Sequence, residues 1–366
     1  MEALICRNLG DPILAENAPL ILSCTHPIPQ INSPTAVRIR IIATSLNFSI
    51  YLQILGKYQE KPPLPFIPGS DHSGTVEAVG HSVTKFEIGD PVCGFAAVGS
   101  FAEYLVPKGC DLVAAGALLV SYGTSHMALV HRAQLHAGQL EKGKMTMMFV
   151  DNTYKNYLLV SIIFIRSGIY LYKCNMCSGG VGVAAIQIGK ILGATIIVVA
   201  RGEEKVKFLK SLGVDHIVDL TKETCMESVK GFLKKRRLKG VDVLYDPVGG
   251  KLTKETLKFL NWGAQILVIG FGSGEVPIIP ANIALVKNWT VHGMYCGGYL
   301  IHQPHILEDS VKELLSWLAK GLITIKISHT YSLSEANLAF TVLKDRKAIG
   351  KVVIVFNEQK EVRSKL

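Results

Sequence analysis

Residues 178–200 read Ser-Gly-Gly-Val-Gly-Val-Ala-Ala-Ile-Gln-Ile-Gly-Lys-Ile-Leu-Gly-Ala-Thr-Ile-Ile-Val-Val-Ala. Gly179, Gly180 and Gly182 predict a tight turn, and residues 183–191 predict a helix whose apolar face is Val183, Ala184, Ile186, Ile188 and Ile191. Gly193 ends it, and Thr195–Ala200 is a continuous apolar, β-branched run of the kind found in a strand buried on both faces of a parallel sheet. A glycine turn opening a helix, followed by such a strand, is the layout that holds a dinucleotide pyrophosphate. Glycines let the backbone approach the phosphates, while the first amides of the helix and its dipole bind the anion.

Around this stretch the chain alternates in a regular way. Strands are expected at 216–219, 241–245, 265–269 and 290–292, with helices between most of them, which is a doubly wound α/β arrangement. The N-terminal part is different. Residues 37–44 read as a strand, Ser45-Leu46-Asn47-Phe48 opens a short helix that Gly56-Lys57-Tyr58 ends, and short strands with glycine turns follow to residue 106. That is a β-rich, barrel-like unit. A helix starts near Tyr122, another is expected at 308–321, and 323–356 returns to mixed β and α.

The 366 residues suffice for two domains, and 49% hydrophobic with 19% charged residues fits a soluble globular enzyme. The formal charge of +10 would attract anions, and its densest run is Lys234, Lys235, Arg236, Arg237 and Lys239. With no aromatic residues interleaved there, the run reads as a solvated helix end, and nucleic acid is not the expected partner. Eight scattered cysteines fit a reducing compartment, and the lone Cys174/Cys177 spacing is a poor metal or redox motif. Ser364-Lys365-Leu366 is the tripeptide read by the peroxisomal import receptor, so the expected location is the peroxisome, with the cytoplasm as the alternative. Residues 157–165 are only nine apolar positions before Arg166, against roughly 20 for a spanning helix, so no membrane span is expected.

Six segments in order, Ser45-Leu46-Asn47-Phe48, Pro68-Gly69-Ser70-Asp71-His72-Ser73-Gly74, Phe86-Glu87-Ile88-Gly89-Asp90, Ser178-Gly179-Gly180-Val181-Gly182, the run from Gly240 to Gly250 containing Asp246-Pro247-Val248-Gly249-Gly250, and Gly350-Lys351, resemble the medium-chain dehydrogenase/reductase superfamily. They look most like its zinc-free quinone oxidoreductase branch, the zeta-crystallin-like proteins. The resemblance implies a GroES-like catalytic domain built from both chain ends (1–121 and 301–366) and a Rossmann NADPH-binding domain between them (122–300). It also implies a homodimer joined through the edge strand at 290–292.

The resemblance extends to site residues. Asn47 and Tyr58 match the asparagine and tyrosine that line the substrate pocket, Thr124 matches the threonine on the nicotinamide, and Gly270 and Phe271 match the segment carrying the ring amide. Ser178, Gly179, Gly180, Val181, Gly182 and Lys351 fall among the cofactor-binding positions. Zinc-dependent relatives place cysteine and histidine where this chain has Asn47 and Ser70, and zinc needs three or four N, S or O ligands, so no metal is expected. His72 lies near the old ligand position but reads as structural. The second strand ends Ala200-Arg201-Gly202 instead of in an acid, and Arg201 with Lys205 suits a 2′-phosphate, hence NADPH. Glu203 and Glu204 oppose that reading, although acids are at home in a first helical turn.

The implied activity is reduction of quinones or α,β-unsaturated carbonyls. The alternatives are an enoyl-thioester reductase, a non-catalytic nucleotide or RNA binder, and an inactive product. The last follows from residues 141–177, which are longer than the family's turn and first strand and resemble a translated intron or a faulty gene model more than a functional insertion. The first Rossmann strand would come from 169–174 or from 157–165, and Met176 would crowd the pyrophosphate.

Overall fold

The computed structural model describes residues 1–14, 18–97, 100–135, 146–147, 160–165 and 180–356. The chain divides into two compact units, Met1–Val120 with Leu300–Leu366, and Ser121–Tyr299.

The first unit begins with β1 (Ala3–Cys6) and β2 (Leu20–Ser23), paired antiparallel. Next come β3 (Val37–Leu46), α1 (Phe48–Ile54), β4 (Asp71–Val79), β5 (Pro91–Ala97), β6 (Ser100–Leu105) and α2 (Leu112–Ala115). A helical run from Leu119 to Arg132 leads on; only its short middle, α3 (Thr124–His126), is α-helical, and the flanking parts are π-helical.

The second unit carries β7 (Thr146–Met147), β8 (Val160–Ile165), α4 (Gly180–Ile191), β9 (Thr195–Ala200), α5 (Glu203–Ser211), β10 (His216–Asp219), α6 (Cys225–Lys235) and β11 (Val241–Asp246). It continues with α7 (Lys251–Thr256), β12 (Leu260–Val268), α8 (Ala281–Lys287) and β13 (Thr290–Gly293). Strands β9 and β10 run parallel, as do β11, β12 and β13, which is the Rossmann-type pattern. Every residue of β9 and of β11 is buried, including Asp242 and Asp246 of β11.

Two features differ from the expectation. The place beside β9 is taken by β8, from the 157–165 stretch, and it runs antiparallel to β9, so the sheet is mixed there. Its last residue, Ile165, pairs with Thr195 at the end of β9 remote from Arg201. The alternative source, 169–174, and Met176 lie outside the described residues. Gly180 and Gly182 are not in a turn before α4 but in its first turn. Gly182 is buried there and Gly180 half-buried, and neither carries a side chain.

After α9 (Cys296–His302) and α10 (Pro304–Ala319), the chain adds β14 (Ile327–Tyr331), α11 (Ala336–Lys344) and β15 (Lys351–Val355) to the first unit. Its main sheet has the order β14-β15-β3-β4-β5-β6. Leu46, Ile50, Tyr51, Ile54, Phe340, Val352 and Ile354 form a core between α1, α11 and the sheet. Among the described residues no helix is long and apolar enough to cross a membrane.

Burial lowers the pKa of three histidines, His72, His216 and His292, below the ordinary 6.5. Each is held neutral in the fold and gains a proton more easily when unfolded. Their contribution is therefore complete above about pH 6.5 and is lost as the pH falls from there through the folded pKa. Thermal melting at pH 7.5, 6.5 and 5.5 should give a midpoint that drops at each acidic step. A flat profile would mean that these rings are hydrated in the fold.

Candidate active-site and cofactor-binding residues

In the first unit the register of three adjacent strands decides the site. Val352 pairs with Leu46 and Thr44 pairs with His72, so the start of β15, the end of β3 and the start of β4 meet. The residues at those ends are Lys351, Ser45, Asn47 and Asp71. Lys351 Nζ donates to Asn47 Oδ1 at 2.7 Å and lies 3.9 Å from Asp71 Oδ2. Asn47 Nδ2 faces Asp71 Oδ1 at 3.0 Å, Ser70 Oγ at 3.2 Å and Ser45 Oγ at 3.4 Å. Ser45 Oγ donates to Asp71 Oδ1 at 2.6 Å, and the Val120 amide to Asp71 Oδ2 at 3.4 Å. Lys351 is 3% exposed and Asp71 0%.

An ammonium can only donate, so it fixes which end of the Asn47 carboxamide is oxygen. Both Nδ2 hydrogens then point at Asp71 and the serines. Burial lowers the Lys351 pKa while Asp71 opposes that shift. Tyr58 is half-buried in the loop after α1. His72 is buried, and its pKa is lowered by burial against the opposing pull of Asp71 and the Ser70 backbone.

Gly350 delivers Lys351 to this cluster. Its φ is +106°, and a Cβ there would collide with the Lys326 carbonyl. Gly350→Ala should cost about 3 kcal/mol or more in a urea titration, because both the strained φ and the clash must be relieved. A loss under about 1 kcal/mol would show that the start of β15 can shift freely.

In the second unit, Ser178 and Gly179 lie outside the described residues, while Gly180, Val181 and Gly182 form the first turn of α4. Ser125 Oγ is 2.8 Å from the Val181 carbonyl, 3.0 Å from that of Ser121 and 2.7 Å from Tyr245 Oη. This ties buried Thr124, its neighbour on α3, to the head of α4 and the end of β11.

Beyond β9, Arg201 Nε is buried and has no hydrogen-bond partner among the described residues. Gly202, at φ +101°, turns the chain into α5, where Glu203 and Glu204 are exposed and Lys205 is buried. The sequence gives no separate signal for Asp219. Asp219 ends β10 opposite Ala200 and accepts from the Thr221 amide at 3.0 Å and hydroxyl at 2.8 Å. Burial works against its charge, yet these bonds and the Gly202 amide hold its carboxyl below the usual range.

Asp246, at the end of β11, organises the next turn. Its Oδ1 accepts from the amides of Val248 (2.9 Å) and Gly249 (2.8 Å), and its Oδ2 from Thr253 Oγ1 (2.6 Å). The Ile269 amide bonds the Asp246 carbonyl and the Gly272 amide that of Pro247, which seats half-buried Gly270 and exposed Phe271. The structure thus brings Lys351 to Asn47, Thr124 toward Val181, and Arg201 and Lys205 to either side of Gly202.

Two family models match. Residues 33–117 match the alcohol dehydrogenase GroES-like domain and residues 180–320 the zinc-binding dehydrogenase domain; 141–177 lies outside both. A quinone oxidoreductase-like protein 2 homolog of Nematostella vectensis is 32% identical, over 96% of this chain and 88% of the relative. The chain belongs to the medium-chain dehydrogenase/reductase superfamily. Quinone oxidoreductase-like protein 2 of Rattus norvegicus is 30% identical over 96% of this dehydrogenase/reductase chain and 91% of its own. The quinone oxidoreductase of Thermus thermophilus, solved also with NADPH, superposes with a TM-score of 0.71 at 23% identity, covering 97% of this chain and 100% of that one. At that identity the likeness speaks for the fold.

One of the matching domain descriptions names zinc, but the side chains around Asn47 and Asp71 in this dehydrogenase/reductase are not a zinc donor set. Among the described residues no group of three His, Cys, Asp or Glu side chains could hold an ion. Asp71 is the cluster's one carboxylate, and the ammonium of Lys351 already stands beside it. A second cation there would meet repulsion instead of ligands.

Proposed function

We propose that this chain is an NADPH-dependent reductase of quinones or α,β-unsaturated carbonyls that works without zinc. The observation that carries the reading is Arg201. A buried guanidinium nitrogen without a partner calls for an anion, and it stands at the end of the second Rossmann strand, where an acid would select NADH. Asp219, the acid that ends β10, has its Oδ1 engaged by the Thr221 amide and hydroxyl, and the Gly202 amide bonds its carboxyl as well. The names of the relatives support the same activity.

The chain's residues fit the cofactor. Gly180 and Gly182, without side chains in the first turn of α4, suit a pyrophosphate, Arg201 and Lys205 suit the 2′-phosphate, and Gly270, Phe271 and Thr124 suit the nicotinamide. Bound, the cofactor supplies hydride. The Asp246 turn keeps the Gly270–Phe271 segment in place, and Ser125 keeps Thr124 against α4. Tyr58 is the residue assigned to donate to the oxygen that becomes negative, because the Asn47 hydrogens are turned toward Asp71 and the serines.

Fluorescence titration with NADPH, and with NADH as control, tests this. Tight binding with NADPH preferred is the expected result, and a panel of a quinone, an enone and an enoyl thioester then sorts the substrate class. A folded chain that binds neither nucleotide would point to the inactive product implied by 141–177.

The same proposal includes a homodimer. Strand β13 ends its set, Val291 on it is 46% exposed, and α8 buries none of its residues. Sedimentation should give twice the chain mass. Peroxisomal import completes the proposal, supported by Ser364-Lys365-Leu366, which lies outside the described residues. Removing the tripeptide should disperse an N-terminally tagged chain into the cytosol.

A further inference from the structure

The charged pair under Asn47 is more than the fold needs. Burying an ammonium and a carboxylate 3.9 Å apart is a poor way to stabilise a core, since apolar residues of the same volume usually do as well or better. A second anomaly lies at Asn47 itself. It occupies the N-cap of α1, where asparagine is favoured because its side chain can bond the first amides. Here it makes no such bond; the carboxamide turns away from the helix and closes a ring with Lys351 and Asp71. Helix capping has been given up for one fixed orientation of that amide. The ring joins residues from three strand ends, and 304 positions separate Lys351 from Asn47.

We propose that Lys351 and Asp71 are a positioning pair that locks the Asn47 carboxamide and keeps the Lys351 ammonium behind it, so that the site favours carbonyl substrates whose oxygen becomes an enolate- or hydroquinone-type anion. The inference rests on the reading of Asn47 as a substrate-pocket residue. The ammonium takes no part in bond making. Its charge is in place before the reaction and needs no reorganisation when the oxygen becomes negative.

Lys351→Met alone would strand the Asp71 charge and is expected to unfold the unit. The test therefore uses the neutral pair Lys351→Met with Asp71→Asn, and Lys351→Arg. Three quantities are read: the NADPH dissociation constant, kcat and KM on a quinone and an enone, and hydrogen exchange of the Asn47 side-chain amide by NMR. The neutral pair should fold, with kcat lower by roughly 30-fold or more, KM within about threefold, and Asn47 exchange about tenfold faster. Lys351→Arg should restore kcat to within about fivefold of the parent. A neutral pair with kcat within about threefold of the parent overturns the proposal, since the charges would then serve only packing. If the parent binds NADPH but reduces neither substrate, the functional reading fails by itself. Asn47 exchange then decides the inference: acceleration in the neutral pair supports the positioning role, and unchanged exchange overturns it.

Discussion

Asp246→Ala is expected to unfold the Ser121–Tyr299 unit under conditions where the parent is stable. The carboxylate is 0% exposed and accepts from two backbone amides and the Thr253 hydroxyl. Hydrogen bonds to a charged group contribute about 1.5–3 kcal/mol each, and removing the acceptor also leaves buried donors unpaired. Bonds around one carboxylate do not add fully, so a loss of about 4 kcal/mol is expected in a urea titration, a large share of a typical domain's stability. Gly249 and Gly250, at φ of +72° and +75°, would lose the carboxylate that accepts from the Gly249 amide. Asp246→Asn keeps one acceptor oxygen and should lose about half as much. A loss for Asp246→Ala below about 1 kcal/mol would mean that the 247–250 turn is held by its own backbone.

Arg201→Met should weaken NADPH by roughly 30- to 100-fold and leave NADH within about twofold, because a charge-assisted contact to the 2′-phosphate is the one interaction the two cofactors do not share. The fold should tolerate the change, as Arg201 Nε has no partner among the described residues to lose. Arg201→Asp should go further and invert the preference, since it restores the acid that accepts from a free ribose hydroxyl. Equal losses for both nucleotides would show that Arg201 shapes the end of β9 instead of reading a phosphate.

Much of the architecture was legible because the signals are local. The β-branched and aliphatic stretches at 195–200, 216–219 and 241–245 form strands β9, β10 and β11 at those positions, and the amphipathic stretch near 308–321 forms α10 over Pro304–Ala319. Period and burial fix such elements without help from distant residues. The glycines were harder. Gly180 and Gly182 look like a turn by composition, but helical hydrogen bonding prevails once Val183 to Ile191 have nucleated the helix. The direction of β8 was not legible at all, because a short apolar run carries no sign of which way it will pair.

The candidate site divides along the same line. Arg201 can be read from the sequence because it adjoins the strand that places it. Asp219 could not be weighed against it, since only the parallel pairing of β9 with β10 and the Thr221 bonds show that it lies opposite Ala200 with its Oδ1 already engaged. Lys351 could be recognised only by its motif, which put it with the cofactor residues, and the structure sets its ammonium on Asn47 and beside Asp71.

By itself, then, the sequence determined the elements, the Rossmann pattern, the family and the residue types at each site, all of which depend on neighbours along the chain. The tertiary structure alone decided which of those residues meet. Sheet register is a long-range property: the pairing of Val352 with Leu46 and of Thr44 with His72 brings a lysine, an asparagine and an aspartate into one buried ring. Their charges and hydrogen bonds have a direction only there, because water would screen them anywhere else.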